Sequence, residues 1–292
     1  MRLHLVDGTY ELFRAHFSPR PGHRDAKGRD RKATVGLVAS LLALLGDAQE
    51  KVTHLAVAFD NPIVSFRNQL FDGYKTEAGV PEELLAQFDA AEEGTRALGI
   101  VVWSMRDFEA DDAMATGAAR FAEAVEQVRL LTPDKDLGQC VRGRRVVQVD
   151  RMRGKELDEA AVTSLRGIPP ARIPDWLALV GDDADGIPGL PGFGEKGAAA
   201  VLRAFGPLES IPTEVARWPR ELRSREKLAA TWAERRTDAF LYRTLATLRT
   251  DAPVSTSLEE LAHGGVPRGP FLAWCDAVGT QTLKGRAPRW AR

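Results

Sequence analysis

Short apolar runs alternate with longer amphipathic ones along the first half of the chain. LHLV (3–6), HLAVAF (54–59), IVVW (100–103), VRLLT (128–132) and RVVQV (145–149) are short and nearly continuous in apolar residues. That pattern predicts strands buried on both faces. Between most of them lie stretches with helical periodicity: ATVGLVASLLALLGDAQ (33–49), EELLAQFDAAEEGTRAL (82–98, opened by Pro81) and DDAMATGAARFAEAVEQ (111–127). Strand alternating with helix predicts an α/β fold over residues 1–170, a parallel-rich central sheet flanked by helices. After IPPARIP (168–174) the strand signals stop. DWLALVG, KGAAAVLRAF and SREKLAATWAERRTDAFLYRTLATL predict a helical subdomain over 171–250. From 251 to 292 the pattern weakens, and the basic end LKGRAPRWAR is expected to be a loosely ordered extension.

Composition changes this picture little. The chain has 292 residues, 44% hydrophobic and 28% charged, which is ordinary for a globular protein. No apolar run is long enough for a membrane helix, and the start, MRLHLVDGTY, lacks the features of a signal peptide. Cys140 and Cys275 stand far apart with no zinc-binding spacing, so a reducing, cytoplasmic setting is expected.

The charges matter once they are located. LHLV ends in Asp7 and HLAVAF in Asp60. IVVW leads through a short turn to Glu109, Asp111 and Asp112. VRLLT leads to Asp134 and Asp136. Ligands of open parallel sheets bind at the carboxyl ends of the strands, so these acids are expected at one edge. Asp182 and Asp185 add to them from the helical part. Singly, each acid is as well explained as a helix cap or turn residue. Together, so many carboxylates would repel one another and raise their own pKa values unless they held cations. Oxygen-only ligands favour Mg²⁺ or Mn²⁺ over zinc. Two such ions, ~3.5–4 Å apart, commonly serve phosphodiester hydrolysis. The formal net charge of −1 conceals a basic shell: setting the nine candidates aside leaves 32 acids against 40 bases. An acidic pit in a basic surface suits an enzyme acting on nucleic acid.

DDADGIPGLPGFGEKGAAAVL (182–202) contains G-x-G-x-x-G at Gly192, Gly194 and Gly197. A dinucleotide fingerprint needs a strand before it, and the prolines of GIPGLP exclude one. A helix-hairpin-helix fits better. Its glycine turn exposes backbone N–H groups that grip a phosphate without reading a base, and Lys196 adds a charge.

The chain resembles the 5′-nuclease family, comprising the 5′–3′ exonuclease domain of bacterial DNA polymerase I and the flap endonucleases. The resemblance rests on VDGTYELFRAHF (6–17), FDNPIVSFRNQLFDGYK (59–75), FEADD (108–112), TPDKDL (132–137) and GDDADGIPGLPGFGEKGAAAVL (181–202). It implies a stand-alone, metal-dependent, structure-specific 5′ nuclease of replication or repair, probing DNA with a 5′ flap, nick or free 5′ end. It implies a PIN-like core, a helical arch over about 75–98, a monomer, and products carrying a 5′-phosphate. Asp7, Asp60, Glu109 and Asp111 match one side of the family's two-metal cluster. Asp134, Asp136, Asp182 and Asp185 match the other, with Asp112 close by. Arg67 and Lys75 match basic residues that meet the scissile phosphate, and Tyr74 an aromatic that stacks on a base. The hairpin at Gly192, Gly194 and Lys196 matches the duplex-binding motif, which holds a K⁺ through backbone carbonyls. Two departures stand out. The family's Y-K-x-x-R has Ala78 in the arginine position, and its S-D-N reads Ala184, Asp185, Gly186. The alternatives are a non-catalytic branched-DNA binding protein, distinguished by metal-dependent binding without cleavage, and a related ribonuclease, distinguished by activity on matched RNA.

Overall fold

The structure, a computed structural model, describes residues 1–291. Its elements in chain order are β1 (Arg2–Asp7), α1 (Gly8–Phe17), α2 (Lys32–Gly46), β2 (His54–Asp60), α3 (Arg67–Leu70), α4 (Glu82–Leu85) and α5 (Phe88–Ala97). There follow β3 (Val101–Met105), α6 (Ala110–Phe121), β4 (Gln127–Leu131), β5 (Val146–Asp150), β6 (Lys155–Leu157), α7 (Glu159–Arg166), α8 (Ile173–Val180), α9 (Glu195–Phe205), α10 (Arg225–Ala246) and α11 (Arg268–Val278). The chain folds as two compact units. One comprises residues 1–65, 77–132 and 250 onward, the other residues 66–76 and 133–249.

In the first unit, four parallel strands lie in the order β3-β2-β1-β4. The apolar runs are there because both faces are covered: Leu3, Leu5, Val6, Val57, Phe59 and Leu130 are fully buried. The register sets Asp7 beside Ala58 on β2, so β1 and β2 end within two residues of each other. The expected helix 82–98 is interrupted at Ala86 and Gln87. The Gln87 side-chain oxygen accepts from the N–H groups of Ala33 and Thr34 at 3.0 and 3.1 Å and so caps α2. Phe88, Ala91 and Thr95 make α5 a buried core helix. The largely exposed part of the expected arch is residues 76–83. The acids of α5 also divide. Glu92 turns inward to accept from Asn61 (3.1 Å) and Ser104 (2.6 Å).

The C-terminal extension is more ordered than the pattern suggests. It contains α11, and Val266 exchanges backbone hydrogen bonds with Arg289 and Ala291, both 2.9 Å. Arg292, the last residue of the expected loose tail, lies outside the described residues.

The second unit joins the antiparallel pair β5–β6 to helices α7–α10. Its core holds Trp176, Trp218 and Trp232, each at most 2% exposed. Their indole N–H groups donate to the carbonyls of Glu195, Pro212 and Ile211 at 2.8–3.1 Å, so the three large rings are buried without leaving a donor unpaired. Among the described residues, no helix is long and apolar enough to cross a membrane.

Candidate metal centre and nucleic-acid interface

Asp7, Asp60 and Glu109 of the first unit are each held by caps or turn-like bonds, the rival explanation for such acids; Asp111 lies in the first turn of α6. Asp7 caps α1, accepting from the Tyr10 N–H at 2.8 Å, and its other oxygen accepts from the Thr132 hydroxyl at 3.0 Å. Asp60 accepts from the Ala110 N–H at 2.6 Å at the start of α6. Glu109 caps α6 and accepts from the Ser65 hydroxyl at 2.6 Å. These bonds fix one face of each carboxylate and leave further lone pairs, so capping and metal binding are compatible. Asp112 is different. It is fully buried, and its carboxylate accepts from the Glu109 N–H at 3.0 Å, closing the capping box. Through this bond it orients Glu109.

The second unit gathers Asp136, Asp182 and Asp185, with one oxygen from each within 4.8 Å of the others. Asp134 stands exposed beside them and caps the turn, accepting from the Asp136 N–H at 2.9 Å. The loop Asp182–Gly189 is pinned by a reciprocal backbone pair between Asp182 and Ile187 at 2.7 and 2.8 Å. Two lysines address the cluster. Lys135 Nζ lies 2.5 Å from Asp182, and Lys75 Nζ lies 3.0 Å from Asp185. Lys75 is itself fixed, because its N–H donates to the Asp185 carbonyl at 3.0 Å and its carbonyl accepts from Asn68 at 2.8 Å.

One oxygen of Asp136, Oδ1, is buried without a hydrogen-bond partner. Burial raises the Asp136 pKa well above the usual value, and Asp134, Asp185 and Asp182 raise it further against the opposing charge of Lys135. Lys135 is pulled down by burial, but its bond to Asp182 and the surrounding acids carry it above its usual value. An orphaned buried carboxylate oxygen beside two more carboxylates fits a divalent cation, and the oxygen-only donor set fits Mg²⁺ or Mn²⁺.

The strain has a testable sign. At low pH Asp136 is protonated in the folded and unfolded chains alike. As pH rises above about 4, the unfolded group ionises while the folded one resists, so stability falls until the raised pKa is passed. A bound divalent ion opposes that loss. The gain in melting temperature from Mg²⁺ over chelator is therefore expected to grow as pH rises through this interval; a pH-independent gain would contradict the assignment.

Two residues expected to contact the substrate are buried. Arg67 is 1% exposed. Its Nε donates to the Leu245 carbonyl at 2.7 Å and an Nη to that of Thr247 at 3.1 Å, satisfying carbonyls at the end of α10. Tyr74 is 3% exposed within the core of this unit. Motif matching identifies the residue type at a position but carries no information on its burial. Arg67→Ala is expected to destabilise the protein by about 3 kcal/mol, since it orphans buried carbonyls and opens a cavity. A denaturation midpoint equal to wild type would contradict the structural role.

The helix-hairpin-helix is present as α8, a glycine turn and α9. Gly194 starts α9 without a side-chain cap, and Gly192, Gly194 and Lys196 are all exposed. Exposed glycines and a lysine at a helix start are what a phosphate-gripping turn requires.

Comparison with known proteins agrees with this architecture. Residues 2–167 match the family model described as 5′-3′ exonuclease, N-terminal resolvase-like domain, and residues 168–268 match 5′-3′ exonuclease, C-terminal SAM fold. The chain is 34% identical over 286 residues to DNA polymerase I of Bacillus caldotenax, covering 97% of this chain and 32% of that protein. It thus spans about a third of that relative's length. It is 30% identical over 260 residues to a 5′-3′ exonuclease of Aquifex aeolicus, covering 89% of this chain and 86% of that one. The T5 D15 protein, co-crystallised with metal ions, superposes with a TM-score of 0.66 at 20% identity, over 89% of this chain and 96% of that chain, which shows a shared fold. A resolvase-like unit followed by a SAM-fold unit, matched in order along nearly the whole chain, makes this protein a member of the 5′-3′ exonuclease family.

Proposed function

We propose that this nuclease hydrolyses DNA at a 5′ flap, a nick or a free 5′ end. We infer that it uses two Mg²⁺ ions, with Mn²⁺ as a substitute, and acts as a cytoplasmic monomer in replication or repair. The observation that carries the reading is the Asp136–Asp182–Asp185 cluster, with its orphaned buried oxygen and flanking lysines, in a chain of this family. We assign Asp7, Asp60, Glu109, Asp111, Asp112 and Asp134 to metal binding as well. When bound, the divalent ions supply positive charge to a phosphoryl oxygen and acidify a water molecule. The protein's part is positional. The carboxylates are pre-oriented by caps and turns, so little reorganisation accompanies binding. Lys75, fixed beside Asp185, offers its ammonium to a non-bridging phosphate oxygen. The hairpin at Gly192, Gly194 and Lys196 holds the duplex backbone, with its carbonyls taking K⁺.

The test uses a 5′-labelled flap duplex, with single-stranded RNA as control, and the variants Asp7→Asn and Asp182→Asn. Short 5′ products from the flap alone are expected. Each variant should lower the rate by at least about 10²–10³-fold, the scale of losing one electrostatic stabiliser. An acid whose replacement leaves the rate unchanged has no part in the metal centre. Preferential cutting of the RNA would reassign the substrate.

A further inference from the structure

Beside the hairpin, the second unit has a cavity of about 360 Å³ that the helix-hairpin-helix does not account for. Its walls come from the end of α7 (Ser164, Leu165, Arg166), from Gly167 and Trp176, and from one side of α9 (Glu195, Lys196, Ala199, Arg203). Three cations line it against one acid. None of Arg166, Lys196 and Arg203 forms an ion pair among the described residues, although their neighbours do: Arg172 and Arg243 are both paired to Asp175.

Two of the three cations are pre-positioned. The Arg166 guanidinium lies over the Trp176 ring, 5.3 Å from its centroid. The Trp176 ring is itself locked by its N–H bond to the Glu195 carbonyl at 3.1 Å. Arg203 donates to the Gly167 carbonyl at 3.0 Å, which anchors it across the cavity while leaving donors of the planar fork unused. Guanidinium groups held this way lose little freedom on meeting an anion, and a stacked, half-buried one is less screened than a surface lysine. Trp176 and Arg166 thus form a floor, and Lys196 links the cavity to the glycine turn.

We propose that this cavity is a second backbone-phosphate site, in which Arg166 and Arg203 grip DNA alongside the hairpin. The inference rests on the DNA-binding reading above and extends it by two residues outside the glycine turn. Charge complementarity selects the ligand, because three unneutralised cations facing one carboxylate favour an anion. The adjacent exposed hairpin indicates that the anion belongs to a continuous strand.

The test is duplex binding in chelator, measured as a function of salt, for wild type and Arg166→Gln/Arg203→Gln. Each neutralised phosphate contributes about 0.9 to the salt slope. The double variant should bind several-fold to about tenfold more weakly at moderate salt, with a slope shallower by about one to two. Arg166→Lys/Arg203→Lys should restore much of the slope. Arg166→Gln alone carries the test if the double variant melts early, because the Arg166 side chain makes no hydrogen bond among the described residues; it should show about half the effect. Duplex binding by wild type with an unchanged slope in these variants overturns the site and leaves the nuclease reading intact. Failure of wild type to bind duplex overturns both. Inorganic phosphate or a mononucleotide that raises the wild-type melting temperature at micromolar concentration, but not that of the double variant, would reassign the cavity to a free phosphate ligand.

Discussion

Asp136→Asn is expected to abolish hydrolysis and, at the same time, to raise the melting temperature of the metal-free protein. Both effects follow from one arrangement. The carboxylate is buried, lacks a partner for Oδ1, and faces Asp134, Asp182 and Asp185. The amide keeps the shape, removes a buried charge from a like-charged cluster and can donate to a neighbouring carboxylate. For a protein of this size, ~1 kcal/mol of relief corresponds to a rise of roughly 2–4 °C. The same change removes an anionic ligand, so the rate should fall by at least about 10²–10³-fold. The stabilisation should vanish when the two proteins are compared in saturating Mg²⁺, since the ion neutralises the repulsion in wild type. Thermal melts in chelator and in Mg²⁺, alongside cleavage assays, read both effects. A variant that melts lower than wild type in chelator would show that Asp136 is a structural group.

Gly186→Ala should be among the most damaging single methyl additions in the second unit. Gly186 has φ of +72°, and a Cβ there would lie 2.1 Å from the Gly73 carbonyl oxygen. No ordinary contact allows that approach, and the clashing atom is backbone, so the two segments must separate. They are the segments that bring Lys75 to Asp185, through the N–H bond at 3.0 Å and the ion pair at 3.0 Å. A loss of about 2–4 kcal/mol is expected from left-handed strain and the broken contact together. Activity should fall even where the protein stays folded, because the cluster loses its geometry. A second-site Asp185→Asn in this background should add less damage than it does in wild type. Full additivity would mean that Gly186 does not act through Asp185. The same close approach accounts for Gly186 where the family pattern has Asn. Asparagine tolerates positive φ, but here the Gly73 carbonyl occupies the space of a side chain.

Periodicity was sufficient for the parallel strands and long helices because burial on both faces writes itself into the sequence as continuous apolar runs. It was insufficient where an element is short or held by distant partners. Helices α7 and α11 span eight and eleven residues, and α7 buries chiefly Val162, too little for a recognisable stripe. The break at Gln87 follows from its bonds to α2, more than fifty residues away in the chain, and no local signal marks it. Among the candidate site residues, Asp7, Asp60 and the Asp182–Asp185 loop carry local signatures, those of strand ends and of a glycine turn. The burial of Arg67 carries no local signature, because it depends on carbonyls 178 and 180 residues further along. Lys135 was visible within TPDKDL yet carried no signal of its own. Its significance appears only with Asp182 lying 2.5 Å from its Nζ.

Metal-dependent cutting is read in a single experiment: cleavage of a 5′-labelled flap duplex by the purified protein, in excess chelator and across a Mg²⁺ titration. An intact flap in chelator and short 5′-labelled products that rise with Mg²⁺ to saturation are expected. Cleavage that persists in chelator, or a flap bound but uncut at saturating Mg²⁺, would overturn the assignment as a metal-dependent 5′ nuclease.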